Sequence, residues 1–114
     1  MLLTREAILA ASDLKVEVVE VKEWGGSVRV ATMTGSARDA WEQSLVKGGK
    51  ATLENVRANL VAATVVDEKD APLFTAADVA ELGRKSAAAL DRVCKVAQKL
   101  NRLTDSDLED AKGN

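Results

Sequence analysis

Apolar positions fall on strand spacing first and on helix spacing afterwards. Residues 14–24 carry Leu14, Val16 and Val18 on one parity and Val19 and Val21 on the other, a period-two pattern that changes face in its middle. That change predicts a β-bulge near Val18-Val19, or a strand covered on both faces. Gly25-Gly26 can take the positive φ angles of a tight turn, and residues 27–33 give a second strand with Val28 and Val30 on one face. The two strands read as an antiparallel hairpin. Ahead of them, Thr4 can cap one or two helical turns through Glu6, Ala7, Ile8 and Leu9.

From Ser36 onward the period becomes helical. Ser36 with Asp39 marks a helix start, Ala37, Ala40, Trp41 and Leu45 form its apolar stripe, and Gly48-Gly49 ends it. Thr52 caps a second stripe of Leu53, Val56, Leu60 and Ala63 or Thr64, which runs into Val65-Val66 and the charged turn Asp67-Glu68-Lys69-Asp70. Pro72 fixes an extended or turn segment that returns Leu73 and Phe74 towards the core. Thr75 and Asp78 open a third helix with Val79 and Leu82, and Gly83 is its expected C-cap. Ser86 caps the longest helix. Counted from Val79, apolar or small residues recur at Leu82, Ser86, Ala89, Val93, Val96, Leu100 and Leu103, one continuous face if Gly83 is tolerated and two shorter ones if it is not. Thr104 with Asp107 could start a last short helix, but Asp105, Asp107, Glu109 and Asp110 leave it little to bury.

The expected fold is therefore α+β: an N-terminal two-stranded antiparallel β-hairpin packed on a bundle of about four to five helices. Residues 1–104 are expected to form a single domain and 105–114 an acidic, mobile tail. A chain of 114 residues buries roughly two-thirds of its unfolded surface. Aromatic residues are only 3% of it, so Ala, Val and Leu must fill the interior around Trp24, Trp41 and Phe74. A two-stranded ribbon alone is marginal in water, so the hairpin must lie on helices or pair further, and its outer edges are candidates for self-association.

Candidate chemistry is sparse. The chain has no histidine, which removes the commonest general base, triad partner and zinc ligand. Cys94, in the apolar stretch of residues 90–97, is expected to have a raised pKa and little nucleophilicity. Neither Gly25-Gly26 nor Gly48-Gly49-Lys50 has the spacing of a phosphate-binding loop, and Asp67-Glu68-Lys69-Asp70 lacks the pattern of a calcium loop. The expectation is a non-enzyme with no cofactor and no metal. A net charge of -2 gives no general attraction to nucleic acid or anionic membrane, and a single cysteine fits a reducing compartment. No membrane partner is expected. The opening residues 1–6 lack the pattern of an export signal, and the cytoplasm is the default location.

One charged feature stands out. Arg92, Lys95, Lys99 and Arg102 recur at three and four spacing beside the apolar stripe of the last long helix. The plain reading is a solvated face, with Asp91 pairing Lys95. The functional reading is a dock for an acidic partner helix or a phosphate backbone. No aromatic residue interleaves with the row, which disfavours single-stranded nucleic acid and favours protein. Trp24 beside the hairpin turn is either a core plug or an exposed interface anchor, and Trp41 is read as core.

Glu23-Trp24-Gly25-Gly26-Ser27-Val28-Arg29-Val30 followed by Thr34-Gly35-Ser36-Ala37-Arg38-Asp39-Ala40-Trp41-Glu42 resembles the N-terminal half of tail assembly chaperones of long-tailed, non-contractile bacteriophages. Val65-Val66-Asp67-Glu68, Pro72-Leu73-Phe74 and the run from Leu82-Gly83-Arg84 to Asp91-Arg92-Val93 resemble the second half. The resemblance covers roughly residues 15–108. It implies a protein of the infected host's cytoplasm, absent from the mature virion, that binds and solubilises the tape measure protein and recruits tail tube protein. It also implies that a longer form arises in some members by frameshifting near the end of the short one. On this reading Trp24, Val28, Val30, Arg92, Lys95, Lys99 and Arg102 are the candidate protein-binding residues. The apolar and basic faces of residues 79–103 are expected to hold the client, and the hairpin edge to mediate self-association. The alternatives are a small nucleic-acid-associated regulator using the same basic row, and a structural head-tail component.

Overall fold

The parity change in the first strand resolves into a plain division of faces. A computed structural model describes residues 1–103 of the chain. In it β1 (Val16–Val21) pairs antiparallel with β2 (Gly26–Ala31) in unbroken register from Val16 opposite Ala31 to Val21 opposite Gly26, so there is no bulge. Val19 and Val21 turn inward, with Val21 fully buried, while Val16 and Val18 stay exposed. The two parities are simply the two faces of one strand.

The turn between the strands is longer than Gly25-Gly26 alone. Lys22–Trp24 make a 3-10 turn, Gly25 follows at φ 73°, and Gly26 is already paired in β2. Only Gly25 occupies the left-handed region, where a side chain would be strained.

The hairpin also gains a third strand that the sequence pattern assigned to the end of a helix. β5 (Val65–Val66) pairs antiparallel with β2, giving sheet order β1-β2-β5. Beyond β5 the chain doubles back: Val66 bridges Pro72, Asp67 N–H donates to Ala71 O, and Leu73 N–H donates to Val65 O. Arg29 of β2 straps this return. Its Nε–H donates to Asp67 O at 3.1 Å and its guanidinium also pairs with Asp70. Asp67 Oδ1 accepts the Lys69 and Ala71 N–H groups, so the acidic residues build a turn.

The helices follow their caps more closely than their expected starts. A short α1 (Arg5–Ala10) begins at Thr4, whose hydroxyl accepts from Ala7 N–H. Thr34, two residues before the expected start at Ser36, caps α2 (Gly35–Ser44). Gly48-Gly49 then form the tip of a small ribbon, β3 (Val46–Lys47) against β4 (Lys50–Ala51). Thr52 accepts from Glu54 N–H in the following turn, and α3 (Val56–Thr64) starts after Asn55 at φ 53°. Thr75 and Asp78 form a reciprocal capping box before α4 (Val79–Leu82), and Ser86 caps α5 (Ala87–Leu100). Gly83 ends α4 in right-handed geometry rather than as a left-handed cap. The apolar face of residues 79–103 is thus broken into two.

The core joins the inner face of the sheet to α2, α3, α4 and α5 through Val21, Val30, Trp41, Leu60, Val61, Leu82, Leu90 and Val93. Mixed helix and strand with an N-terminal hairpin against helices is the expected α+β class. Phe74 reaches the core, whereas Leu73 remains about half exposed. The possible helix start at Thr104 and the acidic segment 105–114 lie outside the described residues.

Candidate protein-binding surface

The seven residues singled out from the sequence do not form one surface. Val30 has 0% exposure and belongs to the core, so it makes no contact with a partner. Val28 and Trp24 are half-buried and pack against the same core. Arg92 Nε–H donates to both carboxylate oxygens of Glu23, at 3.0 and 3.2 Å, and ties α5 to the hairpin turn. Glu23's own backbone N–H first, and Arg92 second, hold its carboxyl below the usual carboxylate range. Lys95 and Lys99 are exposed, and neither makes an ion pair among the described residues. Arg102 lies past the end of α5 at φ 53° and is also exposed.

The expected Asp91–Lys95 pair is replaced by a bond across two helices. Arg57 Nε–H on α3 donates to Asp91 Oδ1 on α5 at 2.6 Å. Spatial proximity between helices has beaten the i,i+4 relationship along one. Nor is the apolar face of residues 79–103 free to hold a client. Ala89, Leu90, Val93, Cys94 and Ala97 are buried against α3 and the sheet.

What α3 and α5 leave open is a groove of about 430 Å³ between them, lined by Leu53, Val56, Leu60, Cys94, Lys95 and Gln98. The Arg57–Asp91 pair closes part of its wall. Leu53 is 38% exposed there, and Lys95 adds a cation to an otherwise mostly apolar lining. This matches the chemistry that an amphipathic helix with acidic residues beside its apolar stripe requires. Cys94 lies against the groove with its Sγ 3.5 Å from Arg57 O. Burial, with help from Asp91 and partial offset by Arg57, pushes its thiol up to about 12, so the thiolate that nucleophilic chemistry needs is absent near neutral pH. Among the described residues no three His, Cys, Asp or Glu side chains cluster to hold a metal ion, and no helix is long and apolar enough to cross a membrane.

A second open surface went unread in the sequence. Every residue from Met1 to Val18 is exposed, including Leu2, Leu3, Ile8, Leu9, Leu14, Val16 and Val18. The signal was the Leu14, Val16, Val18 parity, which marks a face that the helices leave uncovered.

No family model matches the sequence, and no curated protein matches it. One solved structure with the same architecture is that of the bacteriophage HK97 tail assembly chaperone, with a TM-score of 0.61 over 88% of this chain and 95% of that chain, at 21% sequence identity. The resemblance read from residues 15–108 thus points to the same protein class as the three-dimensional likeness. The chain has the fold of a bacteriophage tail assembly chaperone.

Proposed function

We propose that this protein is a phage tail assembly chaperone that binds and solubilises the tape measure protein and recruits tail tube subunits. It acts in the host cytoplasm and is left out of the finished virion. The observation that carries this reading is the likeness in fold to the HK97 tail assembly chaperone, which spans nearly all of both chains. The surface supports it. A holdase needs exposed apolar area beside charge and no reaction centre, and the α3–α5 groove supplies Leu53 and Val56 beside Lys95. Lys99 lies one helical turn further along α5, so the two cations extend the groove's rim.

The client is then a helical segment whose apolar stripe enters the groove and whose acidic side chains meet Lys95 and Lys99. Co-expression with the cognate tape measure protein tests this. The expected result is that the wild-type chain brings the tape measure protein into the soluble fraction and co-purifies with it. Lys95→Glu with Lys99→Glu loses most of that effect while keeping the fold. If the double variant keeps the client in solution as well as the wild type does, the basic row is only a solvated face.

A further inference from the structure

The two sides of the sheet are finished differently. On the β5 side the ladder ends in the return segment at Pro72, which has no N–H to offer, a protected edge of the usual kind. On the β1 side no strand pairs with Val16–Val21 beyond β2 among the described residues, and the edge carries neither proline nor bulge. Thr32 N–H donates to Lys15 O at 2.8 Å, so the ladder continues one residue before β1. Alternation along an antiparallel strand then turns the backbone groups of Lys15, Glu17, Val19 and Val21 towards β2. Those of Leu14, Val16 and Val18 point out into the open edge.

We infer that this edge is a docking surface for a second copy of the same chain. The two β1 strands would pair antiparallel about a two-fold axis at Val16. The side-chain sequence selects both the partner and the register. With Val16 opposite Val16, Leu14 of each copy meets Val18 of the other, and all three outward-pointing backbone positions are hydrogen-bonded at once. Leu14, Val16 and Val18, 50%, 37% and 62% exposed, become one apolar patch of six side chains. On the opposite face Lys15 of each copy meets Glu17 of the other, so two opposite-charge pairs form by symmetry. Shifting each strand by one residue puts Glu17 against Glu17. The next shift places Val16 against Glu20 and leaves Lys15 without an acidic neighbour. An isologous contact needs a self-complementary edge, and charge and apolar pattern are complementary together only in the Val16-centred register.

The test uses the full chain and exposed positions, so the variants are expected to fold. Sedimentation of the wild type over a concentration series should show a reversible monomer–dimer equilibrium. Lys15→Glu should raise the dissociation constant about tenfold, since two attractive pairs become repulsive. Lys15→Glu combined with Glu17→Lys should bring it back near the wild-type value. Under oxidation Val16→Cys should cross-link the two copies, because directly opposed Cα atoms lie about 5.5 Å apart. Val18→Cys should not, because the two Val18 positions are four residues out of step. A chain that stays monomeric at every concentration overturns the inference, and so does a dimer that Lys15→Glu leaves unchanged. Cross-linking through Val18→Cys instead of Val16→Cys overturns the register. The contact is independent of the client groove on α3 and α5, so a failure here leaves the chaperone reading standing.

Discussion

Asn101, at the end of α5, holds the end of β2 by hydrogen bonds from both ends of its side-chain amide. Its Oδ1 accepts from Met33 N–H at 2.6 Å, and its Nδ2 donates to Ala31 O at 3.4 Å and Ala97 O at 2.9 Å. This one side chain joins the last turn of the longest helix to the strand where the sheet meets the core.

Asn101→Leu keeps the bulk and removes every one of those bonds. Met33 is 8% exposed, so its N–H would be left in a place that water reaches poorly. The expected cost is about 1–3 kcal/mol. A urea unfolding curve checks it as a lower midpoint with an unchanged slope.

Trp41 is 3% exposed, and its indole Nε1–H has no acceptor among the described residues. The Arg38 guanidinium lies 5.6 Å from the ring centroid, a contact that a phenyl ring can keep. Trp41→Phe removes volume but no hydrogen bond, so about 1–2 kcal/mol of lost stability is expected, against about 3–5 kcal/mol for Trp41→Ala. Equal losses in the two variants, measured by thermal or denaturant unfolding, would show that the indole nitrogen has a partner after all.

Glu23 gives the hairpin turn a pH dependence. Its folded-state pKa lies below the ordinary 4.5, so its contribution to stability is present above 4.5 and is lost as pH falls through the lowered folded value. Melting temperatures of wild type and Glu23→Gln should therefore differ by a constant amount near neutrality and converge in acid. Arg92→Gln should retain part of the effect, because Glu23's own backbone N–H is the larger cause. A gap that is the same at pH 7 and pH 3 contradicts this account.

Elements with a local cause were legible in the sequence. Thr4, Ser86 and the Thr75/Asp78 box cap the helices they were expected to cap, because a cap needs only residues within one turn. The hairpin lies where β-rich runs flank Gly25. Cys94 is buried with a raised pKa, as its apolar neighbours in sequence implied.

The candidate site was less legible, because each of its residues depends on what another part of the chain does. Val28 and Val30 share a strand and a parity, yet Val30 is sealed and Val28 half-covered by helices that follow later in the chain. Arg92 and Lys95 belong to one basic row, but only Arg92 lies within reach of Glu23, 69 residues away.

The sequence by itself determined the order of elements, the class of fold and a surface without a histidine-based reaction centre, since caps, turns and two periodicities are short-range properties. Tertiary structure decided which apolar stripes became core, that Val65-Val66 became a third strand and that β1 kept an open edge. Those are outcomes of long-range packing: a stripe's period says that it will face something, and only the assembled chain says whether that is a helix, a strand or solvent.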